Sequence, residues 1–518
     1  MKLLLPLLLL SLLTSAQPKL SNKITNNSFW TTTTGTPIYS QGGGIFRFNN
    51  KYYWYGVQYK EAALYRQDPS ITQSNATFEN VTCYSSTDLV NWTFEANVLT
   101  QEELAKHTRK TWIGRLGVAY IKSINQYTLV VQCGSSVLFA TSATPTGNFE
   151  WHNQISMQDI IGTPNTGDQT VFTDDDGISY LIYSYGRGRN KIYVSEIGVK
   201  DGKVNLLDCK EIFKGESREG NCLFKYKGRY YMSASNIYGW DASFAYYLVA
   251  DNIRGPYTPT NKMLVMKGCE ADFAHVSQTG FYYTIHGTKE ETVLYCGDRW
   301  ADFAGNGLGY NQWVPLSFEG KENIPVFNSL SAWYLNTTTG QWQVAADNNY
   351  IRNGSFEADR RHIPSPVKPL QDQLTGWETK VILGNAPSQD SVHSPVLNHF
   401  NSEAERKLVI GEKSAQITDQ VTFERQLSQT IQSTPTVPLP NGKYTLTAKI
   451  RNSTGFSKLE LYAKSQSRQF QAIGSCPEWT TISLKNISVR NGKLEIGIYA
   501  AGEANAFCLI DDVSLVRE

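Results

Sequence analysis

The stretch DQTVFTDDDGISYLIYSYG, Asp168 to Gly186, decides the fold. It reads as an apolar strand, an acidic turn and an aromatic strand. The same unit recurs as GGGIFRFNNKYYWYG (Gly42 to Gly56), GVAYIKSINQYTLVVQCG (Gly117 to Gly134), EGNCLFKYKGRYYMSAS (Glu219 to Ser235) and VSQTGFYYTIHG (Val276 to Gly287). A third apolar segment follows each, such as VTCYSSTDLVNWTFE (Val81 to Glu95) or KIYVSEIG (Lys191 to Gly198). The turns Asn49-Asn50, Asn125-Gln126, Asp176-Gly177 and Lys227-Gly228 are hairpin chemistry. With Ile45, Val118, Val171, Cys222 and Val276 marking the first strands, the last three intervals are close to 50 residues. Repeats of that length with several strands each predict a five-bladed β-propeller over residues 17–345. Two insertions fall in the longer first interval, Arg66 to Thr77 and Gln101 to Lys110, the second read as a short helix. First-strand starts converge on the axis of such a ring, so they are the candidates for chemistry.

Outside the repeats the composition narrows the function. The chain has 518 residues, too many for one ordinary core. Charged residues are only 18%, against 29 Tyr, 22 Phe and 12 Trp, which reads as a neutral, aromatic-rich surface. Lys2, the apolar run Leu3 to Leu13 and Thr14-Ser15-Ala16 read as a signal peptide over residues 1–16. That run is too short to span a bilayer, and no other stretch is long and apolar enough. Export to the periplasm or the extracellular space is the expectation. Without those residues, 47 basic face 47 acidic side chains, and no basic surplus remains to bind nucleic acid. The eight cysteines include no C-x-x-C pair, which argues against a zinc site; Cys476 and Cys508 are candidates for a disulfide.

Composition shifts near Val344. Residues 346–518 carry alternating strands, KYTLTAKIR (Lys443 to Arg451), KLELYAK, KLEIGIYA and LIDDVSLV (Leu509 to Val516), without helices. This reads as a β-sandwich. The whole chain is therefore expected to be all-β.

The motifs GGGI with YYWYG, CYSSTDLVNW, DDDG with YLIYS, RE with FKYKGRYYMSAS, GWD, and SQ with GDRW resemble glycoside hydrolase family 43, and more narrowly its exo-β-1,3-galactanase branch. The resemblance runs from about Ile38 to Pro315. NGSFE with GW and IDDVSL resembles jelly-roll carbohydrate-binding modules. The resemblance implies that Glu219 is the general acid and that Asp168 raises its pKa and orients it. Gln278 would aim the water, and inversion would follow with acid and water-aimer on different blades. Asp174, Asp175 and Asp176 belong to a hairpin turn. Gln41, Arg115, Tyr185, Trp240, Asp241, Asp298, Arg299 and Trp300 are the candidate sugar contacts, through ring stacking and polar binding of hydroxyls.

Two positions depart from the branch. Gln41 stands where a His is usual, and Gly114 where a Glu contacts the terminal sugar. No cofactor is implied for catalysis. The resemblance does imply a structural Ca²⁺ between Glu357 and Asp512 in the C-terminal domain. The expected partner is a poly- or oligosaccharide, β-1,3-galactan. The alternatives are a propeller that binds glycans without cleaving them and an enzyme acting on arabinose or xylose linkages.

Overall fold

The computed structural model describes residues 22–71, 73, 75–109, 113–133, 136–301, 306–358, 374–386 and 396–518. The signal peptide read at 1–16 lies outside them. The architecture is all-β. Five four-stranded antiparallel sheets follow one another along the chain, each pairing its strands in sequence order. Their leading strands are Gln41–Phe48, Ile113–Ile121, Thr166–Thr173, Glu219–Tyr226 and Gln278–His286. Each leading strand packs against the next, and that of the fifth sheet touches that of the first. Trp54 of the first sheet and Trp313 of the fifth meet with ring centroids 4.7 Å apart, and Trp30 and Trp92 close around them.

Local chemistry explains the hairpins. Asn49 and Asn50 both adopt positive φ, as do Lys227 and Gly228, the twist that two-residue hairpins require. Asp174 sits in a turn and is held by Lys225 and Tyr230 of the next sheet. Gln101–Ala105 is the expected short helix, capped by Thr100; a second helix, Lys60–Gln67, opens the other insertion. The fifth unit differs from its sequence reading. Val276 does not begin the leading strand. Phe273, Ala274, His275 and Val276 form a left-handed turn, all with positive φ, and the strand begins at Gln278. Asp272 holds that turn by accepting the His275 N–H at 3.1 Å. His275 is thus a turn residue rather than a strand residue.

Each leading strand also breaks register near its start. The breaks lie at Gln41/Gly44, Ile113/Leu116, Thr166/Gln169, Glu219/Cys222 and Thr279/Phe281. Every one contains a glycine: Gly42, Gly114, Gly167, Gly220 or Gly280. A bulge inserts an unpaired residue and re-aims the side chains beside it.

The short strand Lys23–Thr25 pairs with Ala332–Leu335 and so ties the start of the described chain to the end of the ring. The C-terminal part is a sandwich of two five-stranded antiparallel sheets. Its strands include Gly442–Asn452, Phe456–Lys464, Lys493–Gly502 and Phe507–Arg517, which contain the four segments read from the sequence. Both sheets contribute to one apolar core, with Leu427, Leu461 and Ile498 facing Ile417, Leu446 and Ile510. All eight cysteines are free thiols, so Cys476 and Cys508 are not bonded; each is buried among apolar side chains. No described helix is long and apolar enough to cross a membrane.

Candidate active site

The bulged strand starts converge on a pocket of about 170 Å³, lined among others by Gly42, Arg115, Asp168, Glu219, Trp240 and Gln278. Glu219 opens the fourth leading strand and is 5% exposed. Its Oε1 accepts from Gln278 Nε2 at 2.8 Å, and its Oε2 pairs with Arg189. Asp168, inside the third bulge, accepts at Oδ2 from Arg115 Nε at 3.2 Å and from the Gly220 N–H at 2.9 Å. Arg115, inside the second bulge, fans out further. Its Nη1 donates to Asp298 Oδ2 at 3.0 Å and its Nη2 to Gln278 Oε1 at 3.0 Å.

Burial, then the Asp168 charge, push the Glu219 carboxyl up to about 7, against the pull of Arg189 and Arg115. Burial acts on Asp168 as well, but the two arginines and the Gly220 N–H outweigh it and hold that carboxyl below its ordinary range. Two neighbouring carboxyls driven apart in this way are the pattern of an acid and its ionised partner.

Of the residues read from the sequence, Glu219, Asp168, Gln278, Arg115 and Trp240 meet at the pocket. Gln278 differs in detail from expectation. Its amide lies directly on Glu219, and its carbonyl, expected to hold a water, already accepts from Arg115. Asp298 and Arg299, read as sugar contacts, do not line the pocket. Asp298 is buried beneath the pocket, where it accepts from Arg115, the Gly42 N–H and Asn311 Nδ2; Arg299 is also buried. Asp241 is buried and accepts the Ala242 N–H at 2.9 Å, and Tyr185 packs at a strand end under Lys191, so neither lines the pocket. Gln41 is buried beside the first bulge, outside the lining. The side chain of Trp300 lies outside the described residues.

Three lining side chains were not singled out from the sequence: Tyr59, Gln132 and Arg189. Tyr59 and Gln132 stand at the ends of second strands, and Arg189 in the loop after one. In an antiparallel hairpin the end of the second strand lies beside the start of the first, so these positions reach the same centre. Gly114 itself lines the pocket, at the bulge position that Gly42, Gly167 and Gly220 hold in other sheets.

In the sandwich, burial pushes the Glu357 carboxyl up to about 7, and its Oε1 accepts the Lys413 N–H at 2.7 Å. Asp512 pairs instead with Lys449 Nζ at 2.8 Å. The neighbouring Asp511 is fully buried and held well above its ordinary value, first by burial, then by the charges of Asp512 and Glu357. The structure thus sets the buried Asp511 in the field of Glu357. Among the described residues no three His, Cys, Asp or Glu side chains gather as a metal cage.

Comparison with known proteins follows this geometry. A β-D-galactofuranosidase of Aspergillus niger is 28% identical over 200 residues, 35% of this chain and 56% of its own. An arabinoxylan arabinofuranohydrolase of Paenibacillus polymyxa is 26% identical over 233 residues, 38% of this chain and 35% of its own. The chain thus covers about half, or less, of the curated relatives it matches. Among solved structures, an exo-β-1,3-galactanase of Phanerochaete chrysosporium with galactose superposes with a TM-score of 0.55 at 18% identity, over 95% of this chain and 100% of that one. The exo-β-1,3-galactanase of Clostridium thermocellum gives 0.54 at 18% identity, over 95% and 100%. These two likenesses concern the fold. The model of glycosyl hydrolases family 43 matches residues 45–299, the span that holds Arg115, Asp168, Glu219 and Gln278, and this region of the chain is a family 43 glycosyl hydrolase domain.

Proposed function

We propose that the chain is an exported glycoside hydrolase that removes terminal galactose from β-1,3-linked galactan, the backbone of arabinogalactans, with inversion. The observation that carries this reading is the meeting of Glu219, raised towards 7, with an ionised Asp168 and the Gln278 amide in one pocket. Glu219 protonates the glycosidic oxygen as the C–O bond breaks. Asp168 keeps its charge and so holds the proton on Glu219. Inversion is favoured by the state of the other carboxylates. A retaining enzyme needs a second carboxylate able to attack carbon. Here Asp168 is engaged by Arg115 and Gly220, and Asp298 by Arg115, Gly42 and Asn311. Water is then the nucleophile. Gln278 Oε1, which has a second lone pair beside the one given to Arg115, aims it. Trp240 offers a face to a sugar ring.

In this reading the five sheets are the blades of one propeller, which the ring order of their leading strands supports. Residues 346–518 form a jelly-roll module that binds glycan or braces the ring. A structural Ca²⁺ held by Glu357 and Asp511 belongs to the same proposal; it would neutralise two buried carboxyls. Residues 1–16 serve as the export signal. The test is incubation with debranched β-1,3-galactan and chromatography of the products. Galactose as the sole early product, with the α-anomer released first, is the expected outcome. Binding of the galactan without any release of sugar would favour a lectin-like protein, a reading to which Gly114 lends support by leaving no carboxylate at its place on the pocket wall.

A further inference from the structure

Glu219 has a donor on each carboxyl oxygen, Gln278 Nε2 on Oε1 and Arg189 Nη1 on Oε2. An acid about to protonate a leaving oxygen must carry hydrogen on one of them, and a cationic donor paired with that oxygen favours the ionised form instead. A donor that can withdraw would therefore favour the protonated acid. Gln278 is poorly placed to do so, being 3% exposed and held also by Arg115 and by Ser235 Oγ at 3.1 Å. Arg189 differs. Its side chain is 29% exposed and lines the pocket. It reaches Glu219 by crossing Gly167, where an added Cβ would come within 3.2 Å of Arg189 Nε.

The backbone around Arg189 is fixed, in contrast to its guanidinium. Arg189 has a φ of +50°, in the left-handed region. Its carbonyl accepts the Arg218 N–H at 2.9 Å, and the Asn190 carbonyl accepts the Gly215 N–H at 2.9 Å. Ser217 Oγ donates to the Gly188 carbonyl at 2.5 Å. The loop is therefore pinned to the segment that leads directly into Glu219, with the guanidinium on the open side of the pocket.

We propose that Arg189 is a substrate-displaced latch: it favours the carboxylate form of Glu219 in the free protein, and the leaving-group sugar pushes it off Oε2, so that Glu219 holds more firmly the proton it then delivers. The proposal rests on the reading of Glu219 as the general acid. The proton comes from solvent when the carboxylate loses its cationic partner. It passes to the glycosidic oxygen as the C–O bond breaks, and the attacking water returns a proton to solvent, so none is consumed. Glu219 is faced by Asp168 and Arg189 from the third sheet, Arg115 from the second and the uncharged Gln278 from the fifth, with Ser235 on its own sheet and Asp298 behind Arg115. Of these only Arg189 joins positive charge to pocket exposure. It is a positioning residue, acting through Glu219.

The experiment is a pH profile of the full-length protein on β-1,3-galactotriose, which does not titrate in this range. The alkaline limb of kcat/KM reports the acid in the free enzyme, and that of kcat reports it in the complex. The kcat limb is expected about one pH unit or more above the kcat/KM limb, the usual size of losing an adjacent opposite charge. In Arg189→Met the kcat/KM limb should rise to meet the kcat limb, while Arg189→Lys keeps part of the separation. Coincident limbs in the wild type overturn the latch, as does a folded Arg189→Met with an unmoved kcat/KM limb. Should that variant not fold, the wild-type comparison decides alone. No galactose release at any pH overturns the parent reading as well, a distinct result.

Discussion

Glu219 and Asp168 share a pocket, and both lose solvation there, yet they are driven in opposite directions: Arg115 and the Gly220 N–H hydrogen-bond Asp168, while Glu219 faces the Asp168 charge. The direction of the Glu219 shift fixes the sign of the pH response. A general acid works while protonated, so kcat/KM should fall as pH rises through about 7, measured on an unactivated disaccharide. Glu219→Gln keeps the shape but carries no transferable proton; it should lower kcat by about 10²–10⁴-fold with an unchanged melting curve, and near-wild-type turnover would refute the role. Gln278→Ala should cut kcat on the order of a hundredfold with little change in KM, and Gln278→Glu should retain more. If the alanine variant is kinetically silent, Gln41, whose buried Nε2 has no hydrogen-bond partner among the described residues, is the next side chain to test. Glu219, Asp168, Arg115 and Gln278 were legible in the sequence because each stands near the start of a repeated unit. Tyr59, Gln132 and Arg189 were not, since they belong to second strands or the loops after them and only pairing brings them to the centre. Asp298 and Arg299, candidate sugar contacts from the sequence, are buried outside the pocket lining. A charged pair beside a Trp looks exposed in sequence, and only the fold shows Asp298 spent on holding Arg115.

At the scale of the strand, glycine-containing bulges deliver Arg115, Asp168 and Glu219 to the pocket. Gly220 has a φ of +59°, and a Cβ there would meet the Thr279 carbonyl oxygen at 2.6 Å. Gly220→Ala should therefore destabilise by about 1–3 kcal/mol in thermal or denaturant unfolding, and should also slow turnover, since its N–H holds Asp168. Gly228→Ala is the control. It shares a positive φ, +77°, but nothing lies within 4 Å of the added carbon, so it should cost about 1 kcal/mol and leave kcat unchanged. Strands and hairpin turns could be read in advance because apolar alternation and Asn or Gly at turns are local signals. The left-handed turn Phe273–Val276 could not. Bulky and β-branched residues disfavour positive φ, at about 1–2 kcal/mol each, so no local preference announces it. It is imposed by the Asp272 cap and the packing of Phe273 and Ala274, and it set the sequence reading of the fifth strand two residues early.

The ring and the sandwich touch through polar and apolar contacts, Ala358 packing with Ala242 and Phe273. Arg406 Nε donates to the Ser70 carbonyl at 2.8 Å, Thr436 Oγ1 to Asn328 Oδ1 at 3.3 Å, and Gly376 lies against the Ala271 carbonyl. A cleft of about 650 Å³ opens beside these contacts, between Lys267 and Phe318 on one side and Arg352 and Gln429 on the other. Residues 17–345 alone should remain active on soluble oligosaccharides with a lower melting temperature; a folded but inactive truncation would show that the sandwich contributes to the site. Millimolar calcium should raise the melting temperature of the full chain and a chelator should reverse it, whereas no shift removes the metal from the account. The strands of the sandwich were legible because apolar residues alternate along Lys443–Arg451 and its neighbours, whereas the burial of Asp511 next to the paired Asp512 was not, because adjacent acids differ only in which face of the strand they take. The repeated bulge carries a consequence for engineering. Five sheets present a bulged strand start to one centre, and four of these starts supply Arg115, Asp168, Glu219 and Gln278 to the pocket. Because Arg115, Asp168, Glu219 and Gln278 are joined in one buried network, a change of chemistry at one strand start would be felt at the other three.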